Sequence, residues 1–321
     1  MVHDSSLQER PTLYGEWLHI PVDQQVTLRA WVMPNPQASA RVIVCHGNGL
    51  ASFGYRVFWE ALYPEHEVVV FDLRGHGMSD AGEGKDHDFP QFAADMQKVL
   101  TSIERAYGAR FTVGALHSLS GTCSLLHMRH HAHPWDALAL FDLSLSPPEQ
   151  HPLFDIQQAE TQQRAANALK RRDYFKDPAA LAAQFSRADR VGVWLGDAPM
   201  DMAKALLKRQ DQGWRLSCAP EREAKIYLGN ANMGLWEELA AASCPTLLIG
   251  ADPTWSHAQM PSQVCRAAHE ATGSPYTYVP CTGHFLQQEA PQKCRDLLGQ
   301  FIRASQQTSI AVHPPYISII E

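Results

Sequence analysis

The sequence predicts an α/β protein: a mostly parallel central sheet flanked by helices, with a helical insertion between two of its strands. Short β-branched runs such as "VIVC" and "VVVF" indicate strands that are buried on both faces. Segments with apolar residues at helical spacing follow them, and this alternation is typical of parallel sheets. The alternation stops near residue 147 and resumes near residue 240, which indicates the insertion.

The first half of the chain supplies most of the predicted elements. Residues 15–33 alternate apolar and polar residues around a polar "DQQ" turn and predict an antiparallel hairpin. Pro90 suits the first turn of a helix over residues 90–107. We also expect a short helix in "YRVFWEAL" and another from about Leu119. The buried strands predicted here are "RVIVC", "HEVVVF", "RFTVGAL" and "WDALALFDLSLS".

Residues 147–239 form the predicted insertion. This block is helix-like, rich in Ala, Gln, Arg and Lys, and has few strand candidates. The alternation then resumes with "CPTLLIGAD", "PSQVCRAAHEA", "YTYVP" and "APQKCRDLLGQFIRA". The predicted organisation is a core domain of residues 1–146 and 240–321, with a helical cap of residues 147–239.

Composition and charge exclude several classes of protein. The chain has 321 residues, of which 45% are hydrophobic and 19% charged, as is usual for globular proteins. Its net charge of -7 argues against nucleic acid or anionic lipid as the main partner. No apolar stretch is long enough to span a membrane, and the seven cysteines without CxxC spacing are typical of reduced thiols. We therefore expect a cytoplasmic protein, and the sequence leaves open whether it forms a homodimer.

Residues with catalytic chemistry lie where the predicted strands end. Ligands of open α/β sheets bind outside the carboxyl ends of the strands. Ser118, Asp252 and His284 follow three of the strands, in that order along the chain. A serine hydroxyl becomes a nucleophile when an imidazole accepts its proton, and a carboxylate holds that imidazole in the required tautomer. The three residue types together indicate acyl transfer.

Five segments of the chain resemble segments of the α/β-hydrolase family. They are "VIVCHGNG", "VVVFDLRGHGMSD", "LHSLSG", "PTLLIGAD" and "GHFLQQEAP", and they follow the family's order. They are similar to its oxyanion loop, a loop-bracing segment, the nucleophile elbow, the acid segment and the histidine segment. The resemblance covers roughly residues 25–145 and 240–302, and it implies a serine hydrolase whose cap is the block at 147–239.

The elbow motif implies that Ser118 is the nucleophile. The chain packs closely at such a turn, and small residues two positions before and after the serine relieve the crowding. Leu116 and Ser120 occupy those positions here, so the first of them departs from the pattern. We expect either an opened elbow or a matching gap in the adjacent strand or helix. Ser120, which has smaller flanking residues, is the alternative nucleophile.

The base and the acid are expected after later strands. His284, within "GHF", is the predicted general base. Asp252 is the preferred acid, although the family often places its acid one residue further from the glycine that ends the strand, here Gly250. Asp142, in "LFDLS" after the strand that follows the elbow, is the alternative acid, because some family members place theirs there.

The resemblance also assigns an oxyanion hole. Its donors are expected to be the backbone amides of Asn48, in "HGNG", and Leu119, just after the nucleophile. Asp72, Arg74 and His76 look catalytic in isolation, but the matching family segment braces loops. We expect a structural role for these three.

Other candidate residues carry a weaker signal. The apolar side chains of the cap are expected mainly to pack against the core. His117, Trp194, Trp214 and Trp255 are candidates to line a substrate pocket. The segment "HMRHHAH" at 127–133 has no Cys or acid partners, so it predicts a solvated helix end and no metal site.

The sequence thus predicts a serine hydrolase that cleaves a small or medium carboxylic ester, lactone or thioester through an acyl-enzyme on Ser118. This chemistry takes a small molecule with an acyl group and needs no metal or organic cofactor. Cleavage of a carbon–carbon bond or an amide, or acyl transfer to an alcohol, by the same triad is the alternative. A ligand-binding protein of the same fold is disfavoured, because a receptor needs none of the three catalytic residue types.

Overall fold

A computed structural model describes residues 14–83, 87–131, 135–186, 192–229, 234–255 and 259–312. Its strands alternate with helices over most of the chain. The strands are β1 (Glu16–Pro21), β2 (Thr27–Met33), β3 (Ala40–Cys45), β4 (Glu67–Phe71), β5 (Phe111–His117), β6 (Ala137–Phe141), β7 (Tyr174–Phe175), β8 (Leu207–Gln210), β9 (Gly213–Leu216), β10 (Thr246–Ala251) and β11 (Tyr276–Val279).

Eight of these strands form the central sheet, in the order β1-β2-β4-β3-β5-β6-β10-β11. β1 and β2 form the predicted antiparallel hairpin, and β2 also pairs antiparallel with β4. All the remaining neighbours are parallel, which confirms the predicted mostly parallel sheet. Because β3, β5, β6 and β10 run in one direction, the loops that follow them meet at one edge of the sheet.

Helices cover both faces of the sheet. They are α1 (Arg56–Trp59), α2 (Phe89–Tyr107), α3 (Leu119–His130), α4 (Phe154–Leu169), α5 (Pro178–Phe185), α6 (Ala198–Leu206), α7 (Pro220–Gly229), α8 (Leu235–Ala240), α9 (Met260–Thr272), α10 (Leu286–Glu289) and α11 (Pro291–Val312). One apolar cluster joins the sheet to α2, α3, α8 and α9, and a second joins it to α1, α11 and part of the cap. Among the described residues, no helix combines the length and apolarity that a membrane span requires.

Local signals place the helix ends. The side chain of Asp88 accepts a hydrogen bond from the Gln91 amide, and Pro90 lies in the first turn of α2, as predicted. α9 ends at Gly273, whose left-handed backbone conformation is typical of a residue that closes a helix. These ends fix where the connecting loops begin.

The block predicted to be a helical cap contains strands as well as helices. Between β6 and β10 the chain forms α4 to α7, together with a small antiparallel sheet in the order β7-β9-β8. The sequence did not predict this sheet, because its strands have two to four residues and segments such as "LKRQ" are mostly exposed and polar. α8 packs with the core helices α3 and α9.

Candidate active site

Ser118 lies at a sharp turn between β5 and α3. Its backbone has φ 51° and ψ -110°, a region that a residue with a side chain rarely adopts. Its amide donates to the carbonyl oxygen of Phe141 on the neighbouring strand, at 3.0 Å. Strain of this kind costs about 1–3 kcal/mol and persists where the surrounding structure enforces it. The chain therefore turns sharply from strand to helix at this serine.

The gap expected beside Leu116 lies on its own strand. Leu116 is fully buried in the core, and a Cβ added to Gly114 would lie 3.1 Å from its Cδ1 atom. The absence of a side chain at Gly114 therefore leaves room for the leucine. On the following helix, a Cβ at Gly121 would come within 2.8 Å of Leu143, so this glycine also relieves crowding.

Ser120 has a structural role. Its side chain is fully buried, and its hydroxyl lies 3.0 Å from the carbonyl oxygens of both Cys45 and His117. The same hydroxyl accepts a hydrogen bond from the His117 amide at 3.1 Å. Ser118, in contrast, lines an open pocket together with His284. The structure thus favours Ser118 over Ser120 as the reactive hydroxyl.

Asp142 is the carboxylate that meets His284, which corrects the preference for Asp252. Nδ1 of His284 lies 2.6 Å from Oδ2 of Asp142, whose side chain is completely buried. The other oxygen, Oδ1, accepts a hydrogen bond from the amide of Ala251 at 2.9 Å. Asp142 also has a positive φ of 39°, so a second strained residue lies at this edge of the sheet.

Asp252 braces its own loop. Its Oδ1 accepts hydrogen bonds from the amide and the hydroxyl of Thr254, at 2.9 and 2.8 Å, and its Oδ2 accepts one from the Cys281 amide. The Cys281 amide, helped by Thr254, lowers the pKa of this carboxyl below its usual value. Asp252 and Asp142 follow adjacent parallel strands, which explains why the sequence pattern alone chose the wrong one.

The two amides expected to form the oxyanion hole lie beside the elbow. A Cβ added to Gly47 would lie 3.1 Å from the Cβ of Ser118, so the "HGNG" loop passes close to that residue. Within the described residues, the amides of Asn48 and Leu119 have no hydrogen-bond acceptor. The side chain of Asn48 donates to the carbonyl oxygen of Glu223 on α7, at 3.0 Å. This contact ties the loop to the cap.

The segment after β4 holds that loop in place through hydrogen bonds. Asp72 accepts hydrogen bonds from the amides of Ser52 and Met78, at 2.7 and 2.9 Å. Nε2 of His76 accepts one from the amide of Gly49, at 3.3 Å. These contacts brace the loop, as expected. Arg74 forms ion pairs with two carboxylates, those of Asp95 and Asp23.

A buried network of hydrogen bonds joins the "HGNG" loop, the end of β5 and the loop that carries His284. The amide of Gly47 donates to the hydroxyl of Tyr55 at 3.3 Å, and that hydroxyl lies 2.7 Å from Nδ1 of His117. Nε2 of His117 lies 2.8 Å from the carbonyl oxygen of His284. The bonds are satisfied together when Tyr55 donates to Nδ1 and Nε2–H donates to the carbonyl. His117 is thus buried behind the site and does not line the pocket; Tyr55 was missed because "GYRVFW" gives only a helix signal.

Burial keeps the supporting histidines neutral. Desolvation lowers the pKa of His46, His76 and His117 below the usual value, because charging an imidazole without water is costly. In the neutral form each ring has one donor and one acceptor. The neutral form fits the contacts of His117, which accepts from Tyr55 and donates to a backbone carbonyl.

The pocket beside Ser118 has a polar wall. Ser118 and His284 line it together with one face of α4, and we call it the α4 pocket. A smaller space also borders Ser118, shares Asn48, Ser144 and Tyr227 with the α4 pocket, and includes the apolar residues Phe89 and Ile226 in its lining. The four side chains of the α4 face are Gln157, Glu160, Thr161 and Arg164.

The three tryptophans proposed for the pocket lie elsewhere. Trp194 stacks on Phe185 with ring centroids 4.8 Å apart and contacts Phe285, which itself lines the α4 pocket. Trp214 packs at the border of the second apolar cluster. Trp255 lies near the loop that carries His284. None of the three belongs to the described lining of the α4 pocket.

The described residues contain no cluster of side chains suited to a metal ion. Over the part of the chain that the structure describes, no group of three His, Cys, Asp or Glu side chains could hold an ion. In the histidine-rich segment, Nε2 of His127 lies 2.8 Å from Oε1 of Gln97. His133 lies outside the described residues.

The chain matches a known protein family. The sequence model described as "Alpha/beta hydrolase family" matches residues 42–297. A search among curated proteins found no match.

Several solved structures share the fold. One is an E-2-(acetamidomethylene)succinate hydrolase, with a TM-score of 0.71, 17% identity, and coverage of 90% of this chain and 99% of that one. A thioesterase domain from the curacin biosynthetic pathway has a TM-score of 0.68, 17% identity and the same two coverages, 90% and 99%. A thermophilic esterase from Thermogutta terrifontis has a TM-score of 0.64, 18% identity and coverages of 90% and 99%. At these identities the likeness shows the fold.

Proposed function

Since the chain belongs to the alpha/beta hydrolase family, we propose that it is a serine hydrolase that cleaves a small or medium carboxylic ester, lactone or thioester. The observation that carries this proposal is the 2.6 Å contact between His284 and Asp142, in a pocket that His284 shares with the strained Ser118. A nucleophile, a base and an orienting carboxylate are the groups that acyl transfer requires.

The first half of the reaction forms an acyl-enzyme. Oγ of Ser118 attacks the carbonyl carbon of the substrate, and Nε2 of His284 takes the hydroxyl proton. Nδ1–H of His284 donates to Asp142, which fixes the tautomer that leaves Nε2 free to accept and stabilises the imidazolium that forms. The amides of Asn48 and Leu119 stabilise the oxyanion, and loss of one such donor typically costs on the order of 10²–10³ in rate.

The second half releases the acid. His284 gives its proton to the leaving alcohol or thiol as the bond to the carbonyl carbon breaks. Water then attacks the acyl-enzyme, His284 takes a proton from it, and that proton returns to Ser118 as the carboxylic acid leaves. No metal or organic cofactor enters these steps.

Two further findings support parts of the proposal. Three of the similar structures are a hydrolase, a thioesterase domain and an esterase, and acyl chemistry fits all three. All seven cysteines are free thiols, as is usual in a reducing compartment. We therefore propose that the protein acts in the cytoplasm.

A fluorophosphonate probe tests this function. It should label the wild-type protein, and fragmentation of the tryptic peptide at residues 111–129 should locate the probe on Ser118. Ser118→Ala should abolish labelling and lower ester turnover on the order of 10⁶-fold, as loss of a serine nucleophile does elsewhere. A probe located on Ser120 would show that the wrong serine has been assigned, and a wild-type protein that resists labelling would contradict serine hydrolysis.

A further inference from the structure

The face of α4 that borders the α4 pocket is polar. Glu160 and Thr161 lie three and four residues after Gln157, and Arg164 lies four and three residues after them, so all four lie on one side of the helix. A helix face turned toward the interior of a protein is usually apolar. Polar residues on such a face, beside Ser118, indicate that the pocket receives a polar part of the substrate.

Arg164 is the cation of this face. Its Nε donates to Oε1 of Glu160 at 3.0 Å, its Nη2 donates to the same oxygen, and Nη2 also donates to Oε1 of Gln259 at 3.1 Å. Gln259 precedes α9 of the core, so Arg164 is held between the cap and the core. The side chain is 24% exposed, which leaves it partly open toward the pocket that it lines.

The contact with Glu160 does not use the full capacity of the guanidinium. Two nitrogen atoms of Arg164 share one carboxylate oxygen, so the pair is not the two-by-two fork that arginine and a carboxylate can form. A guanidinium has five N–H donors, including two on Nη1. Tyr227, which also lines the pocket, is a further side-chain hydrogen-bond partner of Arg164. With three donors used on Glu160 and Gln259 and one on Tyr227, one N–H donor is left for a further oxygen, and a second carboxylate is the group that suits the charge and shape of the guanidinium.

We propose that Arg164 binds a carboxylate group of the substrate, so that the preferred substrates are esters or thioesters with a free carboxylate. This inference rests on the proposed serine hydrolysis and adds the substrate class. The smaller space beside Ser118, lined by Phe89, Leu119 and Ile226, suits a short alkyl group on another part of the same substrate. Glu160 repels the substrate carboxylate and limits how tightly it binds.

Matched esters test the preference. Monomethyl adipate and methyl hexanoate differ in a terminal carboxylate that replaces a methyl group, and acetoxyacetate and ethyl acetate place the same difference on the alcohol side. With the wild-type protein, kcat/KM should be roughly 10- to 100-fold higher for the charged member of at least one pair, as expected for a hydrogen bond to a charged group. Equal or lower values for both charged members would overturn the inference.

Variants of the ion pair give effects of opposite sign. Arg164→Gln should bring the charged-to-neutral ratio of kcat/KM close to one, and Arg164→Lys should restore part of it. Glu160→Gln should raise the ratio, because it removes the competing negative charge. A ratio that Arg164→Gln leaves intact, or that Glu160→Gln lowers, would contradict the assignment. Should Arg164→Gln fail to fold, the Glu160→Gln variant still decides the question.

The pair Arg266–Glu270 is the matched control. It has the same spacing of four residues, lies on α9 outside the pocket lining, and is more than half exposed, at 54% and 59%. Arg266→Gln should leave the ratio unchanged, and an equal drop with Arg266→Gln would show that Arg164 acts only through net charge.

Labelling by the fluorophosphonate probe separates the two proposals. A protein that is labelled on Ser118 but prefers the neutral esters would overturn the carboxylate preference and leave serine hydrolysis standing. A protein that is not labelled and cleaves none of the esters would overturn both.

Discussion

The loops after β6 and β10 both begin with an aspartate, but the two aspartates make different contacts. Each follows a buried parallel strand, and each carries a buried aspartate, Asp142 after β6 and Asp252 after β10. Asp142 reaches His284 on a third loop and accepts one amide from the strand beside it. Asp252 uses both oxygens on residues near its own loop, and its described hydrogen bonds do not include His284.

The difference shows what decides which carboxylate is catalytic. An acid that orients a histidine must keep one oxygen free of local donors and point it across the sheet edge. The positive φ of Asp142 turns the chain so that its side chain can do this. The segment around Asp252 resembles the acid segment of the family, but the oxygens of Asp252 accept hydrogen bonds from Thr254 and Cys281.

Among the variants that test this comparison, replacement of Asp142 should lower the rate of catalysis most. Asp142→Asn removes the charge that stabilises the imidazolium and allows the wrong tautomer of His284, so kcat should fall about 10⁴-fold. The assay is hydrolysis of p-nitrophenyl esters of short acids, with circular dichroism as a check on folding. A loss of less than about tenfold would mean that another acid serves His284.

Replacement of Asp252 should affect stability and leave catalysis nearly intact. An asparagine presents one N–H₂ group where a carboxylate accepted hydrogen bonds, so Asp252→Asn should lower the free energy of unfolding by about 1–3 kcal/mol. Urea denaturation measures this change. Turnover should stay within a few-fold of wild type, and a fall comparable to that of Asp142→Asn would remove the distinction between the two loops.

The network behind the site should have a smaller effect on rate. Tyr55→Phe leaves the Gly47 amide and Nδ1 of His117 without a partner, and these groups link the oxyanion loop to the loop of His284. We expect kcat to fall roughly tenfold with little change in KM. The control is Tyr107→Phe, since Tyr107 donates to Glu16 on the surface. An unchanged kcat in Tyr55→Phe would show that the network only stabilises the fold.

The smallest expected effect is a dependence of stability on pH. Burial lowers the pKa of His117 in the folded protein, so below about pH 6.5 the unfolded chain binds a proton that the folded one does not. Its contribution to stability is therefore complete above that pH and is lost as the pH falls. Between pH 6.5 and 5.5 the loss should be about 1 kcal/mol, and His117→Gln should flatten the profile by that amount. A profile that His117→Gln leaves equally steep would contradict the neutral state of this ring.

The sequence predicted what depends on local pattern. The hairpin and the parallel strands follow from alternation and apolar runs, and the structure confirms these elements. The sharp turn from strand to helix at Ser118 is present, and its role as a nucleophile elbow stays a prediction. The choice between Asp142 and Asp252 depends on which groups contact their oxygens, and two of these groups, His284 on Asp142 and the Cys281 amide on Asp252, are distant in the chain. The small sheet of the cap has strands too short to leave a pattern.

The polar pocket was hidden for a different reason. The spacing of Gln157, Glu160, Thr161 and Arg164 is visible in the sequence, but a polar helix face normally indicates contact with solvent. Only the packing of α4 over the sheet edge shows that this face borders Ser118.

The most direct test of the central claim is the rate at which a fluorophosphonate acylates Ser118 in Asp142→Asn and Asp252→Asn, measured side by side. Acylation requires His284 in the correct tautomer, and it does not depend on the unknown substrate. We predict a rate lower by several orders of magnitude for Asp142→Asn, and a rate within a few-fold of wild type for Asp252→Asn. The reverse order, or equal rates in the two variants, would contradict the assignment of Asp142 as the catalytic acid.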